Sequence, residues 1–274
     1  MTKNIKESVN YNPIIMGGAG RSGTTLLRVM LNAHPYLCSG PEFKLFPSII
    51  NLYMQCKKFG GIMEAYSQDL SDIQNSFREF IYSFFEKHIE ESKAKRLVEK
   101  TPHNVLIMKE LCEIFPDAKF IHVIRDGRDV ASSLLKMNWV DFNGNKVPYT
   151  QNIKKAAAYW NQIVAKAISD SNTSYLNNKV YTVKYEDLIL NTEQTLKDIL
   201  SFLNEPWNEK ILDYHKIERG YEPKESSTDQ VSKNLYSKSI KRWEKEFSES
   251  DKKDFKEEAG KLLIELGYEK DMNW

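Results

Sequence analysis

The sequence predicts an α/β fold, a three-layer sandwich in which a central parallel sheet is flanked by helices. Two patterns support this prediction. Short apolar segments typical of buried strands alternate with longer segments in which apolar residues recur every three or four positions. The first apolar segment, residues 14–16, also leads through a glycine-rich loop into an amphipathic segment. Such alternation is typical of a parallel sheet, because helices connect its strands.

The predicted elements follow one another along most of the chain. The predicted strands are residues 14–16, 37–39, 96–98, 119–124 and 180–184. Helices are predicted directly after the glycine loop, then within 48–92, at about 104–114, 129–136 and 152–172, over most of 192–215, and within 236–268. Residues 138–150 and 216–235 are predicted to be loops. An apolar stripe is expected to lie in the core, and it consists of Phe77, Phe80, Ile81, Phe84 and Phe85.

Composition limits the function classes. The 274 residues suit one domain, which we place at 13–274 with helical and loop insertions, after a polar N-terminal arm at 1–12. A net charge of +1 gives no general attraction to nucleic acid or to membranes. The sequence has no run of 18 apolar residues and no apolar signal-peptide core, and its three cysteines are too few for a disulfide framework or a zinc site. We therefore expect a cytoplasmic protein without a membrane anchor or a metal.

The glycine-rich loop at residues 17–25 is the most informative stretch. A loop between a buried strand and a helix N-terminus presents free backbone N–H groups, and glycines let a phosphate approach them. Gly18 and Gly23 have the spacing of a P-loop, and Thr25 occupies the Ser/Thr position of that motif. Thr24 stands where a nucleotide triphosphatase needs lysine, and the nearest cation is Arg21. The sequence thus predicts a P-loop-like phosphate site without triphosphate hydrolysis. A simple glycine turn is the alternative.

Charged residues follow the other predicted strands as well. These strand ends carry Glu99-Lys100, Arg125-Asp126-Gly127-Arg128 and Lys184-Tyr185-Glu186. Because the carboxyl ends of parallel strands meet at one edge of a sheet, we expect the positive charges to converge there. That arrangement suits a small ligand with several anionic groups. Ser132 and Ser133, in the predicted helix after Arg125, could share one phosphate with it.

Two of these motifs together resemble the paired phosphate motifs of sulfotransferases that use 3′-phosphoadenylyl sulfate (PAPS). They are Gly-Arg-Ser-Gly-Thr-Thr-Leu at residues 20–26 and Ile-Arg-Asp-Gly-Arg-Asp-Val-Ala-Ser-Ser at residues 124–133. The sequence is most similar to the tyrosylprotein branch, through Ala-His-Pro, Gly-Pro-Glu-Phe-Lys, Phe-Pro-Asp-Ala-Lys-Phe and Ser-Thr-Asp-Gln-Val ahead of Arg-Trp. The resemblance extends over residues 14–243 and implies PAPS as donor and 3′,5′-adenosine bisphosphate (PAP) as product.

The resemblance also implies the residues that bind the donor. The first loop would hold the 5′ phosphosulfate, and the implied loop residues are Gly20, Arg21, Ser22, Gly23, Thr24 and Thr25. Arg125 and Ser133 would hold the 3′ phosphate. Tyr185, Ser227 and Arg242 match residues that touch the nucleotide.

Catalytic roles are implied in the same way. Glu42 matches the carboxylate that deprotonates the acceptor hydroxyl, while Arg21 and Lys100 match cations beside the transferring sulfuryl group. Fixed cations and loop N–H groups would stabilise charge on the leaving phosphate. As alternatives, Glu42 is an ordinary loop carboxylate, and the base is His103 or His122.

The sequence leaves the acceptor open. Met137 and Lys44 replace arginines of the tyrosylprotein branch, and Val98 stands near the place of a cysteine partner for Cys38. The acceptor hydroxyl therefore belongs to a tyrosine or other phenol, a carbohydrate or another alcohol. A homodimer is possible, and no nucleic-acid partner is expected. Two other functions compete with sulfuryl transfer: a P-loop-like nucleotide or small-molecule kinase, and a non-catalytic nucleotide-binding module.

Overall fold

The computed structural model describes residues 12–141, 143–216 and 239–274. The predicted arm up to residue 11 and the predicted nucleotide contact Ser227 lie outside these residues. The described strands are β1 (Ile14–Gly17), β2 (Leu37–Cys38), β3 (Arg96–Lys100), β4 (Lys119–Ile124) and β5 (Val180–Lys184). They form one sheet in the order β2-β3-β1-β4-β5, and every neighbouring pair is parallel. The predicted parallel sheet is confirmed.

Helices connect the strands. The α-helices that the structure describes are α1 (Thr24–Asn32), α2 (Phe46–Lys58), α3 (Gly60–Ala65), α4 (Leu70–Ser83), α5 (Glu86–Ser92), α6 (Met108–Ile114), α7 (Gly127–Leu134), α8 (Ile153–Ser171), α9 (Tyr185–Leu190), α10 (Thr192–Leu203), α11 (Trp243–Glu246) and α12 (Glu249–Glu265). Segments of 3₁₀-helix are Pro102–Leu106, Pro148–Thr150 and Glu209–Lys216. In the described ranges, no helix is both long and apolar enough to cross a membrane.

Two hydrophobic cores lie on opposite faces of the sheet. In β1, Ile15 belongs to one core, while Ile14 and Met16 belong to the other. Side chains of a strand alternate between faces, so a strand covered on both sides is apolar throughout. One core includes residues of α6, α7, α8 and α12, and the other includes residues of α1, α9 and α10. The predicted three-layer sandwich is thereby confirmed.

The order of the strands places the glycine loop at the centre of the sheet. β1 lies between β3 and β4, so the loop that follows β1 has the ends of both neighbours beside it. Lys100 pairs in register with Met16, and His122 pairs with Gly17. In open α/β sheets, ligands bind outside the carboxyl ends of the strands, where the strand order reverses. The topology therefore directs the search for a site to this edge.

Three predicted elements differ from the structure. A helix, α9, begins directly after β5, where the sequence predicted a polar strand end. The single helix predicted at 104–114 is a 3₁₀ segment and α6, separated at Ile107, whose backbone is not helical. The apolar stripe is not entirely core, because Phe80 is 50% and Phe84 48% exposed. These two residues are about one helical turn apart, and they lie about 100° (Phe80) and 60° (Phe84) around the helix axis from the buried Ile81, on the same side of it.

Candidate active site

The glycine loop has a backbone that only glycine fits at two positions. Gly18 has φ of +155°, and a Cβ there would lie 2.2 Å from the carbonyl oxygen of Val123. Gly23, with φ of +92°, would place a Cβ 2.3 Å from the ring of Tyr185. Arg21 adopts a φ of 72°, uncommon for a residue with a side chain. The loop is therefore a tightly fitted structure and not a simple glycine turn.

The loop contacts the second predicted phosphate motif directly. The Arg21 Nε donates to Ser133 Oγ at 3.1 Å, and Arg125 Nη1 donates to the carbonyl oxygen of Arg21 at 3.1 Å. The Arg125 guanidinium lies 4.6 Å from the centre of the Tyr185 ring. The structure thus brings together Arg21, Arg125, Ser133 and Tyr185, which the sequence placed at the donor site.

A third segment reaches Arg125 from the C-terminal part of the chain. Arg125 Nη2 donates to the carbonyl oxygen of Ser239 at 2.5 Å, and the Ser239 hydroxyl lies 2.8 Å from that of Tyr185. Asp129 lies 3.8 Å from Arg125 and accepts from the backbone N–H groups of residues 241 and 243. Burial raises the pKa of the Asp129 carboxyl, while the charge of Arg125 works against that rise. Sequence reasoning gave no role to either residue: Ser239 lies outside the motifs, and Asp129 lies inside the second motif without having been assigned a contact.

Unsatisfied polar atoms point to an anionic ligand at this edge. Within the described residues, Ser22 Oγ, Ser132 Oγ and Arg125 Nε are buried and have no hydrogen-bond partner. Most buried polar groups in proteins are hydrogen-bonded, so buried groups without a partner call for an explanation. Ser22 lies in the glycine loop, Arg125 follows β4, and Ser132 lies in α7 next to Ser133. Their donor chemistry suits phosphate oxygens.

Lys100 connects the glycine loop to the predicted base. Its fully buried Nζ donates to Glu42 Oε1 at 2.6 Å and to Thr25 Oγ1 at 3.2 Å. The Glu42 side chain is 20% exposed and also lies 3.7 Å from the Lys44 Nζ, which is mostly exposed. The carboxylate is therefore open to solvent on one side and fixed by Lys100 on the other, beside the loop.

A tyrosine of α8 touches the loop as well. The backbone N–H of Gly20 donates to the Tyr159 hydroxyl at 2.9 Å, and His103 Nε2 lies 3.1 Å from the same oxygen. The ring of Tyr149 stacks on Tyr159 at 4.0 Å. Burial lowers the pKa of His103, and the charge of Glu42 opposes this shift. His103 is thus close enough to Glu42 to feel its charge. The Gly20 N–H already has a hydrogen-bond partner in Tyr159.

The other histidines have positions that argue against catalysis. His122 is fully buried inside β4, and burial lowers its pKa to about 4. Among the described residues, neither of its ring nitrogens has a hydrogen-bond partner. His34 sits after α1, where its Nε2 lies 2.8 Å from the carbonyl oxygen of Pro206. His34 is therefore a structural residue at a helix end.

Not all the positive charges at the strand ends converge on the loop. Arg128 pairs with Asp126 and Glu269 and lies 3.8 Å from the ring centre of Trp243. Lys184 Nζ donates to the carbonyl oxygen of Leu266 at 2.7 Å. Both cations bind the C-terminal segment, so the expectation of general convergence is wrong for them. The cause is tertiary: α12 and the residues after it pack beside these strand ends.

Arg242 is another predicted nucleotide contact. Its Nη2 approaches the carbonyl oxygen of Asp129 at 3.5 Å, and its Nε lies 3.4 Å from Glu246 Oε1. Arg242 thus contacts α7 and α11. A role in nucleotide binding stays a prediction for Arg242, as it does for Ser227.

Comparisons with known proteins agree with this site. A model of the sulfotransferase family matches residues 13–209. Protein-tyrosine sulfotransferase A of Caenorhabditis elegans is 30% identical over 268 residues, which cover 95% of this chain and 68% of the worm protein. A protein-tyrosine sulfotransferase of Drosophila melanogaster is 29% identical over 266 residues, 93% of this chain but 51% of the fly protein. The chain therefore spans about half to two thirds of these relatives.

A solved structure shares the fold. The sulfotransferase domain from the curacin biosynthetic pathway superimposes with a TM-score of 0.66 at 22% identity, covering 94% of this chain and 98% of that domain. The family match covers the glycine loop, Glu42, Lys100 and the Arg125 motif, the residues that the structure brings to one edge of the sheet. The chain belongs to the sulfotransferase family, enzymes that transfer a sulfuryl group to a hydroxyl acceptor.

Proposed function

We propose that this enzyme takes the sulfuryl group from PAPS and that Glu42 removes the proton of the acceptor hydroxyl. The observation that carries the proposal is the position of Lys100, whose Nζ touches Thr25 of the glycine loop and Glu42 together. One cation thereby joins the predicted phosphate site to the predicted base. The base is thus held beside the loop, within reach of a hydroxyl that attacks a group bound there.

The residues at this edge fit a donor with phosphates at both ends of its ribose. Ser22 and the loop N–H groups at the start of α1 would hold the 5′ phosphosulfate, and Arg125 with Ser132 or Ser133 would hold the 3′ phosphate. When bound, PAPS supplies the sulfuryl group on a phosphate leaving group. Tyr185 offers its ring face and hydroxyl close to Arg125.

Three side chains have roles in the transfer. Glu42 accepts the acceptor proton, so that the oxygen becomes a better nucleophile. Lys100 and Arg21 supply positive charge where negative charge grows on the leaving phosphate. Lys100 also orients Glu42, because its buried ammonium donates to the Oε1 atom of the carboxylate at 2.6 Å. These roles need donors and charges that are fixed before the reaction begins.

The acceptor class that we propose first is a phenol, with the tyrosine of a peptide as the leading case. The named relatives are protein-tyrosine sulfotransferases, and this chain shares 30% identity with one of them. Alcohols and carbohydrates are the other acceptors that the site chemistry allows. A cytoplasmic location and a homodimer stay predictions from the sequence.

Incubation with ³⁵S-labelled PAPS tests the function. We expect label in a tyrosine peptide or a simple phenol, and Glu42→Gln should lower turnover by about 10² to 10⁴. The same variant should leave PAP affinity, measured by calorimetry, within a few-fold of the wild type. EDTA should not change that affinity.

Two outcomes would contradict the proposal. Normal turnover by Glu42→Gln would direct the search for the base to His103. Stabilisation against heat by ATP with Mg²⁺, together with no stabilisation by PAP, would revive the kinase alternative, which the family match does not favour.

A further inference from the structure

The buried carboxylate of Glu99 has no role among those assigned so far. It is the penultimate residue of β3, is 3% exposed, and precedes Lys100. A buried carboxylate is costly unless donors surround it. In the described residues Glu99 accepts from the backbone N–H of Phe43 at 3.1 Å, from Thr101 Oγ1 at 2.8 Å, and from Asn104 Nδ2. The most informative of these partners is Phe43, because it follows Glu42 directly.

Two consecutive residues of β3 therefore hold the same short loop at two points. Lys100 holds the side chain of Glu42, and Glu99 holds the main chain one residue later. Thr101 adds a longer contact, since its Oγ1 accepts from the backbone N–H of Lys44 at 3.5 Å. Neighbouring side chains of a strand point to opposite faces of the sheet, so Glu99 and Lys100 hold the loop from opposite faces.

The loop needs such an external anchor. Residues 40–45 are outside helices and strands, and Glu42, Phe43 and Lys44 are each at least partly exposed. Lys44 adopts a φ of 56°, which is uncommon for a residue with a side chain. Without partners from β3, a segment of this kind has several accessible conformations, and a small displacement of a base has a large effect on rate.

We propose that Glu99 is a positioning residue that fixes the loop bearing Glu42, and so determines how well Glu42 removes the acceptor proton. The inference rests on the proposed role of Glu42 as base. Glu99 itself does not touch the acceptor or the donor in this scheme. The three donors oppose the effect of burial, which raises the pKa of the Glu99 carboxyl, and all three suit its ionised form.

The test is a double-mutant cycle with Glu99→Gln and Glu42→Gln. Glutamine keeps the size of Glu99 but has one acceptor oxygen, so either Phe43 or Asn104 loses its partner. We expect Glu99→Gln to lower the turnover of phenol by about ten- to a hundredfold and to lower that of the more acidic 4-nitrophenol less. PAP affinity should stay within a few-fold. In the Glu42→Gln background, Glu99→Gln should have almost no further effect.

Control variants separate positioning from general damage. Glu205→Gln removes another largely buried carboxylate, which pairs with Arg96 at 3.1 Å at the opposite end of β3. We expect Glu205→Gln to lower thermal stability without changing the ratio of phenol to 4-nitrophenol turnover. If Glu99→Gln does not fold, Thr101→Val removes one hydrogen bond to Glu99 and also the longer contact to the backbone N–H of Lys44. This variant should change that ratio in the same direction to a smaller extent.

The outcomes are distinguishable from failure of the proposed function. Normal turnover by Glu42→Gln alone would show that Glu42 is not the base. If Glu42→Gln is impaired and Glu99→Gln lowers turnover by the same factor in its presence as in its absence, the positioning role of Glu99 is wrong. A loss of PAP affinity parallel to the loss of turnover would also overturn it.

Discussion

At the scale of residues, the contacts of two arginines determine which of them lies at the site. Arg125 and Arg128 are three positions apart in one motif, and only the resemblance to sulfotransferases distinguished them, by assigning the 3′ phosphate to Arg125. The structure places Arg125 against the glycine loop and Arg128 between Asp126 and the C-terminal residues Glu269 and Trp274. The Arg125 guanidinium has a buried Nε without a partner in the described chain, and this N–H can donate to a ligand.

Arg125→Ala should weaken the donor mainly through its 3′ phosphate. Loss of a charge-assisted hydrogen bond costs about 1.5–3 kcal/mol, which is about ten- to a hundredfold in affinity. Calorimetry with PAP and with adenosine 5′-monophosphate measures this effect, and only PAP should lose affinity. Arg78→Ala is the control. Arg78 donates to the carbonyl oxygen of Ile114 in α6 and to the side chain of Asn75 in α4, and neither residue belongs to a phosphate motif. Equal losses for both nucleotides would show that Arg125 does not hold the 3′ phosphate.

At the scale of elements, the strand, loop and helix at residues 14–32 form one unit. The helix α1 begins with Gly23 as its N-cap in a left-handed conformation, with no side-chain cap. The N–H groups of its first turn are thereby left for a ligand. Tyr185, the first residue of α9, packs against Gly23, so the loop's shape depends on an element about 160 residues later in the chain.

Gly23→Ala should damage both stability and nucleotide binding. A Cβ would meet the Tyr185 ring at 2.3 Å and would need the strained φ of +92°. We expect the free energy of unfolding to fall by about 2 kcal/mol or more, and PAP affinity to fall at least tenfold. Denaturant unfolding and calorimetry measure the two effects.

Gly61→Ala provides the matched control for that variant. Gly61 lies in α3, and apart from its chain neighbours and the backbone of its own helix, no heavy atom of the described residues comes within 4 Å of its added Cβ. Alanine in place of glycine in a helix is stabilising by about 0.5–1 kcal/mol. If Gly23→Ala behaved like Gly61→Ala, the tight fit of the loop against Tyr185 would be wrong.

At the scale of the whole molecule, the sequence predicted the layers better than it predicted the contacts between distant segments. All five strands were predicted within about two residues. The signal is clearest in β1, which is buried on both faces and therefore apolar throughout. The glycine loop was predicted because its motif is local. Tyr159 was not predicted as a loop contact, since its ring fits an apolar helix face and only its hydroxyl reaches Gly20.

Glu99 illustrates the same limit of sequence reasoning. Its position at a strand end predicted a polar residue near a ligand, but its partners Phe43 and Asn104 lie in other segments. The pairing of distant segments depends on packing, which composition and periodicity do not specify. For the apolar stripe the error was to predict too much burial, because Phe80 and Phe84 are exposed. Periodicity indicated a row of apolar residues but did not show which of them the neighbouring elements cover.

The stability of the whole domain at acid pH should depend on His122. Burial lowers the pKa of His122 to about 4, against 6.5 in an unfolded chain. Below pH 6.5 the unfolded state therefore binds a proton that the folded state refuses, so stability is full above pH 6.5 and falls as the pH decreases towards 4. Between pH 8 and pH 4, His122 should account for a loss of about 3 kcal/mol. The buried carboxyls Glu99, Asp129 and Glu186 have raised pKa values and act in the opposite direction.

The contributions of those carboxyls cancel when the wild type and the variants are compared in urea unfolding at both pH values. His122→Leu should lose about 3 kcal/mol less stability than the wild type between pH 8 and pH 4. His88→Leu, at an exposed position on α5, should keep the wild-type loss. His122→Gln serves as a second neutral variant with a polar side chain and should behave like His122→Leu in its pH dependence. If neither His122 variant reduces the loss at acid pH, the buried histidine is protonated without cost, and its environment in β4 is more polar than the structure shows.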